Sequence, residues 1–150
     1  MSTAEWRAAR RAAAARYGPS IQAELLEAAQ RAWGGQMLTS VDPDLPAWRV
    51  HHYLGSAGPR DHRYLEVSVT ATIDPEGRLV AYQVDNGAEF LALHDLSDSG
   101  LRRGLRHVFA LEAPERSYSE PLGGHRRWRY GEPEPPAGLG ARLRRLLRLG

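Results

Sequence analysis

At 150 residues, with 42% hydrophobic and 25% charged residues, the chain is long enough for one well-filled core and ordinary for a globular protein. It has no cysteine and no lysine, and all 20 basic residues are arginine, which excludes disulfides, thiol catalysis, thiolate metal sites, Schiff-base chemistry and a phosphate-loop lysine. No apolar run approaches the ~18 residues of a membrane span, and the apolar stretch 12–15 near the arginine-rich start is too weak for a secretory leader. The expected address is therefore the bacterial cytoplasm, where GC-rich coding accounts for the arginine, alanine, glycine and proline.

Residues 4–33 read as two helical pieces broken at Tyr17-Gly18-Pro19-Ser20, because glycine suits a helix end and proline a first turn. The first piece, a basic helix over 4–17, puts Trp6, Ala9, Ala13 and Tyr17 on one face. Its arginines are Arg7, Arg10, Arg11 and Arg16. The second carries Ile21, Leu25, Ala28, Ala29, Ala32 and Trp33 at helical spacing and stops at Gly34-Gly35. It is the helix expected to lie across a sheet.

After the rigid connector 42–46, Trp48, Val50, His52 and Leu54 alternate with Arg49, His51 and Tyr53, the period of a strand. Residues 55–62 read as a loop. The stretch 63–90 is the centre of the chain. Leu65, Val67, Val69, Ala71 and Ile73 alternate with Glu66, Ser68, Thr70 and Thr72, and Val80, Tyr82 and Val84 follow on a partner strand. Asp74-Pro75-Glu76-Gly77 fits a type I turn with a glycine bulge, which pairs Ile73 with Leu79. Turning Val80, Tyr82 and Val84 toward the apolar face pairs Ile73 with Arg78 instead. Burial outweighs turn preference, so the expected register is Ile73 opposite Arg78.

Asn86-Gly87 marks a hairpin, leaving 88–93 readable as strand or as helix. Ser97 or Ser99 can cap a helix ending near Glu112, with Leu101, Leu105, Val108 and Phe109 on one side. Residues 117–120 and 126–130 read as short strands. A proline-rich linker, 131–138, leads to an amphipathic helix over 139–149.

Candidate chemistry is sparse. His51 and His52 are adjacent on a strand and face opposite ways, and no metal-ligand spacing occurs, so no metal and no cofactor are expected. Ser97, Ser99, His94, Asp95 and Asp98 lie close together but lack a nucleophile elbow, and helix capping explains them. No catalytic residue is assigned. The polar face of Glu66, Ser68, Thr70 and Thr72 shows no catalytic geometry. Charge divides the chain instead, with basic ends on a more acidic middle. Arg126, Arg127, Trp128 and Arg129, with Arg7, Arg10 and Arg11, could grip phosphates and stack bases. Leu143, Leu146 and Leu147, with Arg144, Arg145 and Trp6, form a candidate partner or dimer surface.

These elements predict one α+β domain over 1–150: an antiparallel β-sheet of three to five strands with helices packed on one face, in the order α-β-β-β-α-β-β-α. Counted from Ser20, that order resembles the type III secretion chaperone-like fold, a small α+β domain that is often dimeric and binds protein segments. The resemblance covers most of the chain, rests on element order and carries no motif, so it assigns no residue a role. The expected function is a non-catalytic protein-binding, adaptor or chaperone-like homodimer without membrane insertion. A nucleic-acid-binding accessory protein is the alternative, and a small enzyme with an unrecognised site is third.

Overall fold

The computed structural model describes residues 2–35, 37–56 and 61–119. The predicted strand 126–130, linker 131–138 and helix 139–149 lie outside them. Within them, the α+β class, the antiparallel sheet and the run of helix, strands, helix and strand are as the sequence predicts. Helix α1 spans Thr3–Trp33 and is followed by β1 (Leu38–Asp42), β2 (Ala47–Ser56), β3 (Asp61–Ile73), β4 (Leu79–Asp85) and β5 (Phe90–Leu93). Helix α2 (Asp98–Ala110) and β6 (Arg116–Ser119) complete the order. The sheet runs β1-β2-β3-β4-β5, with β6 paired to the first residues of β3. Within 88–93 the strand is Phe90–Leu93, β1 adds an edge the periodicity did not reveal, and residues 55, 56, 61 and 62 of the stretch read as a loop over 55–62 belong to strands.

The expected break at Tyr17-Gly18-Pro19-Ser20 does not occur. Helix α1 is continuous and contains Pro19, although an interior proline costs ~3 kcal/mol through its missing N–H and its ring. Tertiary packing reverses the local preference. Ala14, Gly18, Ile21, Leu25 and Ala28 form one unbroken buried stripe across the break, and breaking the helix would lift half of it off the sheet. Gly18 is there for contact. A Cβ at this position would fall 3.1 Å from the Trp48 indole nitrogen, so glycine lets the helix sit directly on that ring. The start of α1 is fixed by a capping box, in which Ser2 Oγ accepts from the Glu5 N–H (3.1 Å) and Glu5 accepts from the Ser2 N–H (2.8 Å).

Helix α2 starts at Ser97, whose hydroxyl accepts from the Gly100 N–H at 3.0 Å. The two helices lie on the same side of the sheet, joined by Arg102 to Glu24 (2.9 and 2.7 Å) and Ser20 to Asp98 (2.6 Å). Between them and the strands sits the apolar core of Ile21, Leu25, Trp48, Val50, Val67, Val69, Tyr82, Val84, Leu101 and Leu105. Asn86, fully buried, ties the β4–β5 turn together. Its side-chain carbonyl accepts from the Ala88 and Glu89 N–H groups at 3.0 and 2.9 Å.

The register of β3 on β4 corrects the expected pairing. Ile73 lies opposite Leu79, not Arg78, as the type I turn with left-handed Gly77 (φ 82°) demands. An irregularity next to Ile73 then shifts the pairing, so that Ala71 faces Tyr82 and Val69 faces Val84. Tyr82 and Val84 are buried as expected, while Val80, at the irregularity, is 47% exposed. A one-residue bulge thus satisfies both the turn and the core at the expense of one valine.

Candidate functional site

Alternation along the strands sends a second set of residues to the face that neither helix covers. Direct pairing aligns Leu38 with His51 and His51 with Glu66, while Ser40, Arg49 and Ser68 form the next row. Glu66 sits at the middle of this face and is only 7% exposed. Arg49 and His51 approach its Oε1 at 3.5 and 3.4 Å, and Arg116, brought alongside by β6, donates to its Oε2. Burial pushes the Glu66 carboxyl up, but the His51 hydrogen bond and the charges of His51, Arg116 and Arg49 outweigh it and hold the carboxyl below its ordinary value. The group is therefore a carboxylate at neutral pH. Beside it, His51 and Tyr64 rings meet edge to face at 5.5 Å, and Tyr53 Oη lies 3.2 Å from His62 Nδ1.

In this arrangement the charges of Glu66, Arg49 and Arg116 are engaged with one another. Both oxygens of Glu66 are engaged by cations, so the carboxylate is not free to act as a general base. Among the described residues, no three His, Asp or Glu side chains gather as a metal site requires.

On the opposite side, the ends of α1 and α2 do not close fully over the sheet. They leave a groove of about 380 Å³ lined chiefly by Trp33, Leu54, Leu65, Phe109, Leu111 and Glu112. Its walls come from ring packing: Trp33 stacks on His52 at 5.4 Å and meets Phe109 edge-on at 4.9 Å. Glu115, paired with Arg63 at 3.3 Å, stands at its rim. The volume falls in the ordinary range of ligand pockets. Polar and apolar surface share its lining equally, with Glu112 and Glu115 among the polar side chains.

The residues singled out in the sequence are scattered. Trp6 is 43% exposed, with the Arg10 guanidinium stacked 3.9 Å over its ring. Arg10 also donates to the Asp44 and Leu45 carbonyls, and Arg11 pairs with Asp44 at 3.1 Å, so both hold the β1–β2 turn to α1. Arg7 is exposed on the same helix. Arg126, Arg127, Trp128, Arg129, Leu143, Arg144, Arg145, Leu146 and Leu147 lie outside the described residues. Asp95 accepts from the Ser97 N–H and hydroxyl and from Arg103, a helix-start network. As predicted, His51 and His52 face opposite ways.

The Glu66 group and the groove were both missed. Strand parity alone puts Arg49, His51 and Glu66 on the polar face, so three of the four members were readable. Arg116, fifty positions away from Glu66, was not.

Comparisons with known proteins add no assignment: no protein-family model, curated protein or solved structure matches the chain.

Proposed function

We propose that the chain is a non-catalytic protein-binding module of adaptor or chaperone-like type that works as a homodimer. The observation that carries this reading is the groove between the helix ends, where Trp33, Leu54, Leu65, Phe109 and Leu111 are only half-buried. A groove of this kind takes the apolar side chains of an extended or helical segment. Glu112 in its lining, beside the Glu115–Arg63 pair, favours a segment that carries arginine or lysine. The likeness of the element order to the type III secretion chaperone-like fold supports the same reading. So does the Glu66 group, whose charges are spent on one another.

The test is photo-crosslinking in the source cells from a reactive residue at Ala113, on the groove, and from one at Val80, exposed elsewhere. A protein captured from Ala113 and absent from Val80 supports the reading, and its loss in Glu112→Lys/Glu115→Lys confirms the charge preference. Capture from neither position sinks it. Light scattering at micromolar concentration checks the dimer, and a monomer mass refutes that part.

A further inference from the structure

Helices α1 and α2 run side by side in the same direction. Ser20 meets Asp98, Glu24 meets Arg102 and Trp33 meets Phe109, so their contacts advance together along the chain. The C-terminal ends of both helices, Trp33 and Ala110, therefore lie together, and the groove opens there. Phe109 lines this groove and also a second hollow of about 290 Å³, formed by the two helices alone. Ala28, Ala32 and Ala110 line the hollow, and their small side chains leave the space that larger ones would fill. Arg31 and Arg106 supply its charges.

The two sides of Phe109 differ in sign. On the groove side stand Glu112 and the Glu115–Arg63 pair, an excess of negative charge. On the other side stand two guanidiniums. Arg31 has one carboxylate, Glu27 at 2.8 Å on its own helix, and both side chains are more than half exposed. Such a pair contributes little and is easily exchanged. Arg106 is exposed and pairs with no carboxylate among the described residues, since its neighbour Glu24 is taken by Arg102. Apolar surface runs on between the two sides: Ala32 and Ala110 are exposed and Phe109 is half-buried.

We infer that the segment held in the groove continues over Phe109 and sets a carboxylate between Arg31 and Arg106. The partner is then an apolar stretch with a basic residue at one end and an acidic residue at the other. The inference rests on the groove reading and gives that site a second anchor. Two guanidiniums offer the several N–H donors that one carboxylate accepts. Spacing fixes the ligand further. Arg106 to Ala110 is a rise of roughly 6 Å, and Glu112 lies just beyond the helix end. The opposite charges thus stand roughly 10 Å apart, which is about three residues of an extended segment.

The test is titration of the full chain with capped tetrapeptides, followed at the Phe109 amide and the Trp33 indole N–H by NMR. The peptides are Glu-Leu-Leu-Arg, Gln-Leu-Leu-Arg and Glu-Leu-Leu-Gln. Glu-Leu-Leu-Arg should bind about fivefold more tightly than Gln-Leu-Leu-Arg. Arg31→Gln/Arg106→Gln should erase that difference while keeping the preference for arginine over Glu-Leu-Leu-Gln. Both replaced side chains are exposed, so an unchanged urea midpoint is expected and checks that the variant folds. Equal binding of the first two peptides to the parent overturns the inference and leaves the groove reading standing. A glutamate preference that survives in the double variant puts the carboxylate elsewhere and overturns it too. If no peptide moves either signal at millimolar concentration, the groove reading falls and the inference falls with it.

Discussion

The two faces of this sheet bury side chains of opposite kinds. Under the helices, Trp48, Val50, Val67, Val69 and Val84 are buried against Ile21, Leu25, Leu101 and Leu105, with no charge among them. Each large side chain there contributes about 1.5–3 kcal/mol by leaving water, and no partner of defined geometry is needed. On the other face a carboxylate, a histidine and two arginines are brought together, and their desolvation is offset only because each charge meets its opposite. The first face tolerates loss in proportion to volume. The second depends on completeness.

The largest expected effect belongs to the apolar face. Trp48→Ala removes the indole on which Gly18 and the continuous helix α1 rest, leaving a cavity that the rigid sheet cannot collapse. A loss of about 4 kcal/mol is expected in urea unfolding, with the m-value unchanged if unfolding stays two-state. A cost below about 1 kcal/mol would show that the helices do not depend on this ring, and the contrast between the faces would fail.

On the polar face, Glu66→Gln keeps the shape and removes the charge. It strands Arg49, Arg116 and His51 around a neutral amide, and about 2–3 kcal/mol is expected, discounted from a fully buried pair because both arginines are partly in water. The sign with pH follows from the lowered carboxyl. Its contribution is complete above the ordinary carboxyl range, near 4.5, and is lost as pH falls through the lower folded value. Parent and variant should therefore converge in stability as the solution is acidified below about pH 4.5. Parallel curves throughout that range would mean that Glu66 is not the titrating group.

A smaller difference is expected from Tyr82, the polar group at the apolar face. Burial, with the Asp98 charge and Tyr17 adding to it, pushes its phenol up to about 12. A raised acid contributes stability that is fully present below its ordinary value of 10 and is lost as pH rises toward the folded value. Tyr82→Phe should flatten the loss between about pH 10 and 12 while changing little at neutral pH. A variant that follows the parent curve through that window would place the phenol in water.

What could be read in advance divides along the same line. The apolar alternation of β2 to β4 and the stripe of α2 were legible because burial writes a period into the chain. The S-x-x-E capping box at Ser2 and Glu5 was legible too, and was passed over. The continuous α1 was not, because Gly18-Pro19 is a stop by every local rule and only Trp48, thirty residues later, reverses it. The bulge beside Ile73 was hidden for a related reason. Turn and core each favoured a different register, and nothing local shows that one extra residue satisfies both. The Glu66 group is the hardest case, since ion pairing has no period and Arg116 arrives on a strand of four residues.

The smallest expected change is also the most discriminating. Replacing Arg49, Glu66 and Arg116 together by Met, Leu and Met removes the whole ion-pair group and leaves side chains of similar volume. Breaking the group by one member exposes unpaired charge, whereas removing it entirely exposes none, so the triple variant should fold within about 1 kcal/mol of the parent. His51 then loses its carboxylate but keeps Tyr64 against its ring. If the triple variant is as unstable as Glu66→Gln, the charges contribute net stability, and the face is a core built of ions. If it is as stable as the parent, folding does not require them. The charges would then serve to fix which strands and segments meet on this face, by penalising every arrangement that leaves Glu66 without its arginines.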